Sequence, residues 1–234
     1  MGKMEINIIG GGWVTAKNHG RMRDGARPVL TEGAPVLPPT EEVFSHLPAR
    51  YRRFDAYTRL GCAAISLALQ DAGLAHTDRE RPVGIVVSSV YECFEVDLSY
   101  YETASEDGGV FASPNQFSYT LPGIVTGEVA IHFKLTGPTF TVGDSIPGRG
   151  YPALATSVDM IRTGTCETMV SGWLDSPGDL LEAKVRGVDQ IRGAIFLVLS
   201  SGCKNNALTQ LRIIDFDLVT ASGAKLRSVL DLFE

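Results

Sequence analysis

Residues 135–164 read LTGPTFTVGDSIPGRGYPALATSVDMIRTG, and this stretch decides the fold. Its segment 139–142 (TFTV) is β-branched and aromatic, a composition that favours a strand. Gly148 and Gly150 then mark a loop. Apolar residues return at helical spacing over 153–162, and Gly164 stands where a helix is expected to end. The stretch therefore predicts a strand, a loop and a helix in succession.

The segments on either side alternate between strand and helix patterns. The expected strands are 6–9, 83–87, 139–142, 168–171, 194–200 and 211–219, and the expected helices are 55–72, 118–133 and 153–162. Such alternation predicts an α/β fold with a mixed but mainly parallel sheet. We expect one domain over residues 1–234, with a surface loop at 25–50 and a weakly structured or helical tail at 220–234.

The composition is that of a globular protein. Of the 234 residues, 44% are hydrophobic and 21% are charged, so global disorder is a poor description. A net charge of -6 argues against a nucleic-acid partner, because neutralising phosphates needs clustered Lys and Arg. The one basic cluster, Arg50, Arg52 and Arg53, is short and typical of a solvated surface. We find no leader peptide and no run near the ~20 apolar residues that span a bilayer, so we expect a cytoplasmic protein without a membrane partner.

Three features that could hold a cofactor or a metal carry little weight. Gly10–Gly12 follows a strand pattern but lacks the third glycine of a dinucleotide-binding turn, so a tight strand exit is the better interpretation. The histidines and the cysteines are scattered, without the spacing of a metal site. They are His19, His46, His76 and His132, and Cys62, Cys93, Cys166 and Cys203. The sequence therefore predicts no cofactor and no metal.

Ser145 is a candidate nucleophile of low weight. A serine nucleophile on a strand-to-helix turn stands in the pattern G-x-S-x-G. The chain has Gly143, Asp144 and Ser145 but places Pro147 where the last glycine should stand. A serine hydrolase or acyltransferase that uses Ser145, with Asp144 or a histidine nearby, is a minor hypothesis.

A set of segments spread over nearly the whole chain carries a shared pattern. They are FDAYTRL at 54–60, ALQDAGL at 68–74, VGIVVSS at 83–89, SPNQF at 113–117, LPG at 121–123, GEVAI at 127–131, LTGPTFTV at 135–142, RTGTCE at 162–167 and VSGW at 170–173. In this order and spacing they resemble the β-ketoacyl synthase family, which has the thiolase fold. The resemblance covers the N-terminal half of that fold and implies a three-layer αβα sandwich.

The resemblance breaks down at the catalytic position. In that family a cysteine follows the TV strand at the start of a buried helix, where its thiolate accepts an acyl group. Counting from Gly137-Pro138 puts Ile146 at this position, and counting back from Gly164 puts Pro147 there. The catalytic histidines and lysine of the family lie in a second half that this sequence does not contain. The resemblance therefore implies no catalytic residue here and an inactive chain on its own.

The resemblance also assigns an interface, a pocket and partners. The strand residues Thr139, Phe140, Thr141 and Val142 match the strand that pairs two subunits, and Phe140 and Tyr151 are expected to line the acyl pocket. The expected partners are an active ketosynthase in a heterodimer, or a second copy in a homodimer, and an acyl-carrier protein. An unpaired strand edge tends to associate, and a tail (221–234) folded over the helix 153–162 is the alternative.

These implications favour a non-catalytic ketosynthase-like subunit. It would pair with an active β-ketoacyl synthase in fatty-acid or polyketide-type chain elongation and help shape the acyl pocket, as chain-length-factor subunits do. The second hypothesis is a self-associated module that binds an acyl group or an acyl-carrier protein. The third is the serine enzyme that uses Ser145.

Overall fold

The computed structural model describes residues 5–214 and 217–233. Its strands are β1 (Glu5–Thr15), β2 (His19–Arg21), β3 (Val83–Ser89), β4 (Thr139–Gly143), β5 (Thr168–Asp175), β6 (Gly193–Ser200), β7 (Thr209–Ile214) and β8 (Asp217–Thr220). Its α-helices are α1 (Thr40–Val43), α2 (Ala56–Asp71), α3 (Phe94–Ser105), α4 (Pro114–Phe117), α5 (Ile124–Phe133), α6 (Tyr151–Arg162) and α7 (Asp179–Lys184). Among the helices described, none has the length and apolar character needed to cross a membrane.

All eight strands form one mixed sheet. Its order is β4-β3-β5-β6-β1-β7-β8, and β2 pairs with β1. β3 pairs in parallel with β4 and with β5, whereas the other neighbours are antiparallel. The α/β class is confirmed, but the expectation of a mainly parallel sheet is wrong. β3 reaches its parallel neighbour β4 through a long crossover that contains α3, α4 and α5, whereas β5 and β6, and β7 and β8, are consecutive strands that pair antiparallel.

The sheet separates two hydrophobic cores, which confirms the three-layer arrangement. α2 and α5 cover one face, and α6 covers the other. β6 contributes to both cores because successive side chains of a strand point to opposite faces. Ala194, Phe196 and Val198 join the α2 core, while Ile195, Leu197 and Leu199 join the α6 core.

β1 continues through the three glycines that were expected to end it. A β-carbon on Gly12 would lie 2.3 Å from the backbone nitrogen of Ala68 in α2, and one on Gly10 would lie 2.5 Å from that of Ala72. The glycines therefore let α2 rest directly on the strand backbone. The expected turn at Gly10–Gly12 is wrong because glycine here serves close packing and not a change of chain direction.

We predict that Gly12→Ala lowers the free energy of unfolding by about 2–3 kcal/mol, because the new methyl group must push α2 off the strand. Gly11→Ala is the matched control, since the atoms nearest its β-carbon belong to side chains and not to the backbone: Leu197 Cδ2 at 3.0 Å and Met22 Cβ at 3.2 Å. Urea unfolding of both variants measures the difference. Equal losses at Gly11 and Gly12 would contradict the packing argument.

Residues 221–233 pack over the face that α6 covers. The expected strand at 211–219 is two antiparallel strands, β7 and β8, and residues 215 and 216 between them lie outside the described residues. The tail then runs past the start of α6, where the backbone N–H of Val229 donates to the carbonyl of Arg149 (2.9 Å). Four apolar tail residues are buried in the α6 core: Leu226, Val229, Leu232 and Phe233. This packing corresponds to the alternative predicted from the sequence, in which the tail folds over the helix 153–162 in place of association.

The segment 25–50 combines irregular structure with a short anchored helix. α1 lies within it, and Val43 and Phe44 are buried in the α2 core. Ser66 Oγ of α2 donates to the carbonyl of Val43 at 2.5 Å. The later part of this segment therefore belongs to the packed structure.

Candidate functional site

The carboxyl ends of β3, β4 and β5 meet at one edge of the sheet. Ser88 Oγ of β3 donates to Asp144 Oδ2, just after β4, at 2.6 Å. Ser89 Oγ donates to Asp175 Oδ1, at the end of β5, at 2.7 Å. Ligands of α/β proteins commonly bind outside the carboxyl ends of parallel strands. This edge, from here on the strand-end site, is therefore the candidate functional site.

Asp175 is the buried centre of the strand-end site, with 3% of its surface exposed. Besides Ser89 Oγ, it accepts hydrogen bonds from Val90 N (2.9 Å), Tyr91 N (2.9 Å) and Trp173 Nε1 (2.5 Å). Burial raises the pKa of the Asp175 carboxyl to about 6, and these hydrogen bonds only partly oppose it. The carboxylate thus fixes the turn that leaves β3.

The raised pKa of Asp175 makes stability depend on pH. The folded chain holds this proton more tightly than the unfolded chain, whose aspartate pKa is near 3.8. The contribution is therefore complete below about pH 4 and is lost as the pH rises through about 6. Asn cannot ionise, so we predict that the stability of Asp175→Asn relative to wild type increases from pH 4 to pH 6.5. Urea unfolding across this range tests the prediction, and a constant difference would contradict it.

Asp144 organises the loop between β4 and α6. Its Oδ1 accepts from the backbone N–H of Ser145 (2.7 Å) and its Oδ2 from that of Gly150 (2.7 Å), the residue that caps α6. With the hydroxyl of Ser88, this makes three donors on one carboxylate. Asp144 thus has a positioning role in the loop.

The loop between β4 and α6 (residues 144–150) contains no cysteine, and the assignment of Ile146 or Pro147 to the position of the family nucleophile stays a prediction. Ile146 and Pro147 lie in a 3-10 turn (Ile146–Gly148), and Ile146 is 39% exposed. Ser145 is also exposed, and within the described residues no hydrogen bond joins its Oγ to a histidine or a carboxylate. A serine nucleophile needs such a base within reach. The arrangement therefore gives covalent catalysis no activated group in this loop.

Arg149 holds the loop from the other side, a role that the sequence did not suggest. Its guanidinium forms an ion pair with Asp189 and donates to the carbonyl of Ile146 (3.0 Å). It also stands over the Trp173 ring, 5.5 Å from the centroid. Both charged side chains are largely buried. The ion pair and the ring contact hold residues 146–149 against the segment before β6.

Two cavities open beside the strand-end site. One has a volume of about 330 Å³ and is bordered by Asp55, Tyr57 and Gln116, and the other measures about 380 Å³ and is bordered by Tyr91 and Leu181. Both reach Cys93, whose thiol pKa is raised to about 12 by burial. A thiol of this kind stays protonated and unreactive at neutral pH.

Phe140 and Tyr151, which are expected to line the acyl pocket, lie away from these two cavities. Both are half-buried against the α6 core and line neither of the two cavities. A pocket that a second chain completes remains the prediction for these two side chains. β4, with Thr139, Phe140, Thr141 and Val142, is the first strand of the sheet and pairs on one side only in the described structure.

A three-layer sandwich with a strand–loop–helix unit at its strand-end site has the architecture expected of half a thiolase fold. The model of the β-ketoacyl synthase N-terminal domain matches residues 16–192. The chain belongs to the β-ketoacyl synthase family.

Curated relatives are named for polyketide synthesis and for nodulation. The chain is 28% identical over 138 residues to a Streptomyces violaceoruber protein named as a granaticin polyketide β-ketoacyl synthase 1. It is 27% identical over 124 residues to nodulation protein E of Rhizobium sp. (strain N33). These alignments cover 56% and 53% of this chain, and 32% and 31% of the relatives. The matched part is thus about a third of each relative.

Solved structures share the fold. The ishigamide ketosynthase/chain length factor matches with a TM-score of 0.67 and 18% identity, over 90% of this chain and 62% of that one. The complex of a type II polyketide synthase acyl-carrier protein with its hexaketide-bound ketosynthase, AntDE:AntF, gives a TM-score of 0.62 and 14% identity, over the same 90% and 62%. These likenesses confirm the thiolase-like architecture.

Proposed function

We propose that this chain is a non-catalytic ketosynthase-like subunit. It pairs with an active β-ketoacyl synthase during polyketide or fatty-acid chain elongation and helps shape the acyl pocket. The observation that supports the proposal is the loop after β4, which contains no cysteine and has Ile146 and Pro147 at the positions that counting assigns to the family nucleophile. The chain therefore supplies a surface and leaves the covalent chemistry to its partner.

The open edge of β4 supplies that surface. Ile85 N donates to the carbonyl of Pro138, and Asp144 N donates to that of Ser89. Because backbone groups alternate along a strand, the N–H and C=O of Thr139, Thr141 and Gly143 point away from β3. An edge of this kind is a template for another strand.

Apolar side chains extend the surface around this edge. Thr141 Oγ1 donates to the carbonyl of Pro122 (3.3 Å), which ties β4 to the segment after α4. Leu121 in that segment is 64% exposed, and Phe117, the last residue of α4, is 59% exposed. Tyr101 of α3 is 67% exposed as well. Exposed apolar groups beside an open strand edge favour association over a solvated surface.

The related complexes support the choice of partners. One structural relative is titled a ketosynthase/chain length factor, and another is a ketosynthase bound to its acyl-carrier protein. We propose the same two kinds of partner for this chain: an active ketosynthase at the β4 edge, and an acyl-carrier protein that serves the assembled pair.

Co-expression tests the proposal. The tagged chain is purified together with the ketosynthases and acyl-carrier proteins encoded near it, and the complexes are weighed by light scattering. A one-to-one complex with a ketosynthase is the expected result. A homodimer that leaves every ketosynthase in the flow-through would overturn the pairing and favour the self-associated binding module.

A further inference from the structure

Two histidines that are 86 positions apart in the sequence meet on the surface beside α5. His46 follows α1 and His132 lies in the last turn of α5, and their ring centroids are 4.9 Å apart with the planes inclined by 50°. Phe44 and Phe133 pack edge-on against the His132 ring, with centroids at 5.4 and 4.6 Å. The aromatic contacts hold this ring in one orientation.

Each ring presents one unpaired nitrogen in the described structure. His46 Nδ1 lies 3.3 Å from Ser45 Oγ, which leaves its Nε2 without a hydrogen bond. His132 Nε2 is buried and has no partner. A hydrogen bond at one nitrogen of an imidazole, with the other nitrogen unpaired, is the usual state of a metal-binding histidine, and His46 has this arrangement. The pair therefore offers two Nε2 donors.

The spacing of the rings fits a shared ion. With a metal–nitrogen distance of about 2.0–2.1 Å, the ring centroid lies about 3.2 Å from the metal. Two such rings are about 4.5 Å apart at a right angle and about 5.2 Å apart at the tetrahedral angle. The observed 4.9 Å falls between these values.

We propose that His46 and His132 together bind one Zn²⁺ ion, with water completing its coordination. The described residues hold no cluster of three or more His, Cys, Asp or Glu suited to a metal, so the protein supplies two ligands. Neutral imidazole is a preferred ligand of zinc.

The ion would fasten the segment after α1 to helix α5. That segment leads to Arg50, which forms the one ion pair described between it and α5, with Glu128 at 2.9 Å. Binding that requires the folded chain stabilises it by mass action. Zinc would therefore fix the position of the segment that leads to the basic cluster, which consists of Arg50, Arg52 and Arg53.

Calorimetric titration of the purified chain with ZnCl2 tests this site. We expect one zinc per chain and at least a tenfold loss of affinity in His46→Ala, whose side chain is exposed and whose removal leaves the core intact. His132→Ala should match that loss. His19→Ala and His76→Ala are the matched controls, and Cys203→Ser controls for the exposed thiol; all three should bind as wild type does.

Two results of the titration would overturn the zinc site. Absence of zinc binding by the wild-type chain would overturn the proposal, and so would binding that survives His46→Ala. A second readout is thermal unfolding with and without 1 mM ZnCl2. The zinc-dependent rise in melting temperature should vanish in His46→Ala and persist in His76→Ala.

Discussion

Asp175→Ala should lower the free energy of unfolding by about 3 kcal/mol. Each buried donor left unpaired costs about 1–3 kcal/mol, and removing the buried carboxylate itself offsets part of that cost. The substitution strands four donors: the hydroxyl of Ser89, the amides of Val90 and Tyr91, and the indole N–H of Trp173. Urea unfolding near pH 7 measures the loss.

Asp179→Ala is the control for that experiment. The Asp179 side chain is 97% exposed, and its ion pair among the described residues is with Arg192 at 3.1 Å, so its removal should change the stability by less than about 0.5 kcal/mol. Similar losses at Asp175 and Asp179 would contradict the assignment of Asp175 as the centre of the strand-end site.

Thr141→Pro is expected to weaken association through β4 by about a hundredfold or more, which is about 2.7 kcal/mol of binding free energy. The Thr141 N–H points away from β3, so proline removes a group that only a second strand could use. Proline is tolerated on an edge strand for the same reason. Sedimentation or light scattering of the complex with the partner ketosynthase measures the effect.

Two controls keep the interface test interpretable. Thr141→Val keeps the N–H and removes only the weak bond from Oγ1 to Pro122, so it should associate nearly as the wild type does. The melting temperature of Thr141→Pro should stay close to that of the wild type, because the backbone hydrogen bonds between β4 and β3 do not use the Thr141 N–H. A folded Thr141→Pro that still forms the complex would show that β4 is not the pairing strand.

Elements with a dense local pattern were predicted well. The helix expected at 55–72 is α2, and Asp55 caps it by accepting from Thr58 N at 3.1 Å. The strand at 139–142 and the helix at 153–162 correspond to β4 and α6. In each case the apolar spacing and the terminal residues indicate the same element.

The errors concern features that depend on distant contacts. α3 has no buried residue, so its apolar side chains form no stripe that a sequence pattern could reveal. The glycines of β1 suggest a turn until α2 is placed against them. Strand direction depends on where each connection leads, and the sequence after β5 did not show that the segment with α7 returns to an antiparallel β6.

The residues that organise the strand-end site were missed, and one call on the loop stays a prediction. The loss of the thiol rests on counting from the neighbouring motif to Ile146 and Pro147. Asp175 and Arg149 could not be assigned, since their roles come from Ser89 and Asp189, which lie 86 and 40 residues away. His46 and His132 were set aside because spacing along one helix was the only sign of a metal site that the sequence could show.

The alternating side chains of β6 have a consequence for how the molecule opens. Since one strand belongs to both hydrophobic cores, neither layer can lose its packing without exposing a row of β6 side chains. The two layers should therefore unfold as one cooperative unit, and the amide protons of β6 should exchange only through global opening.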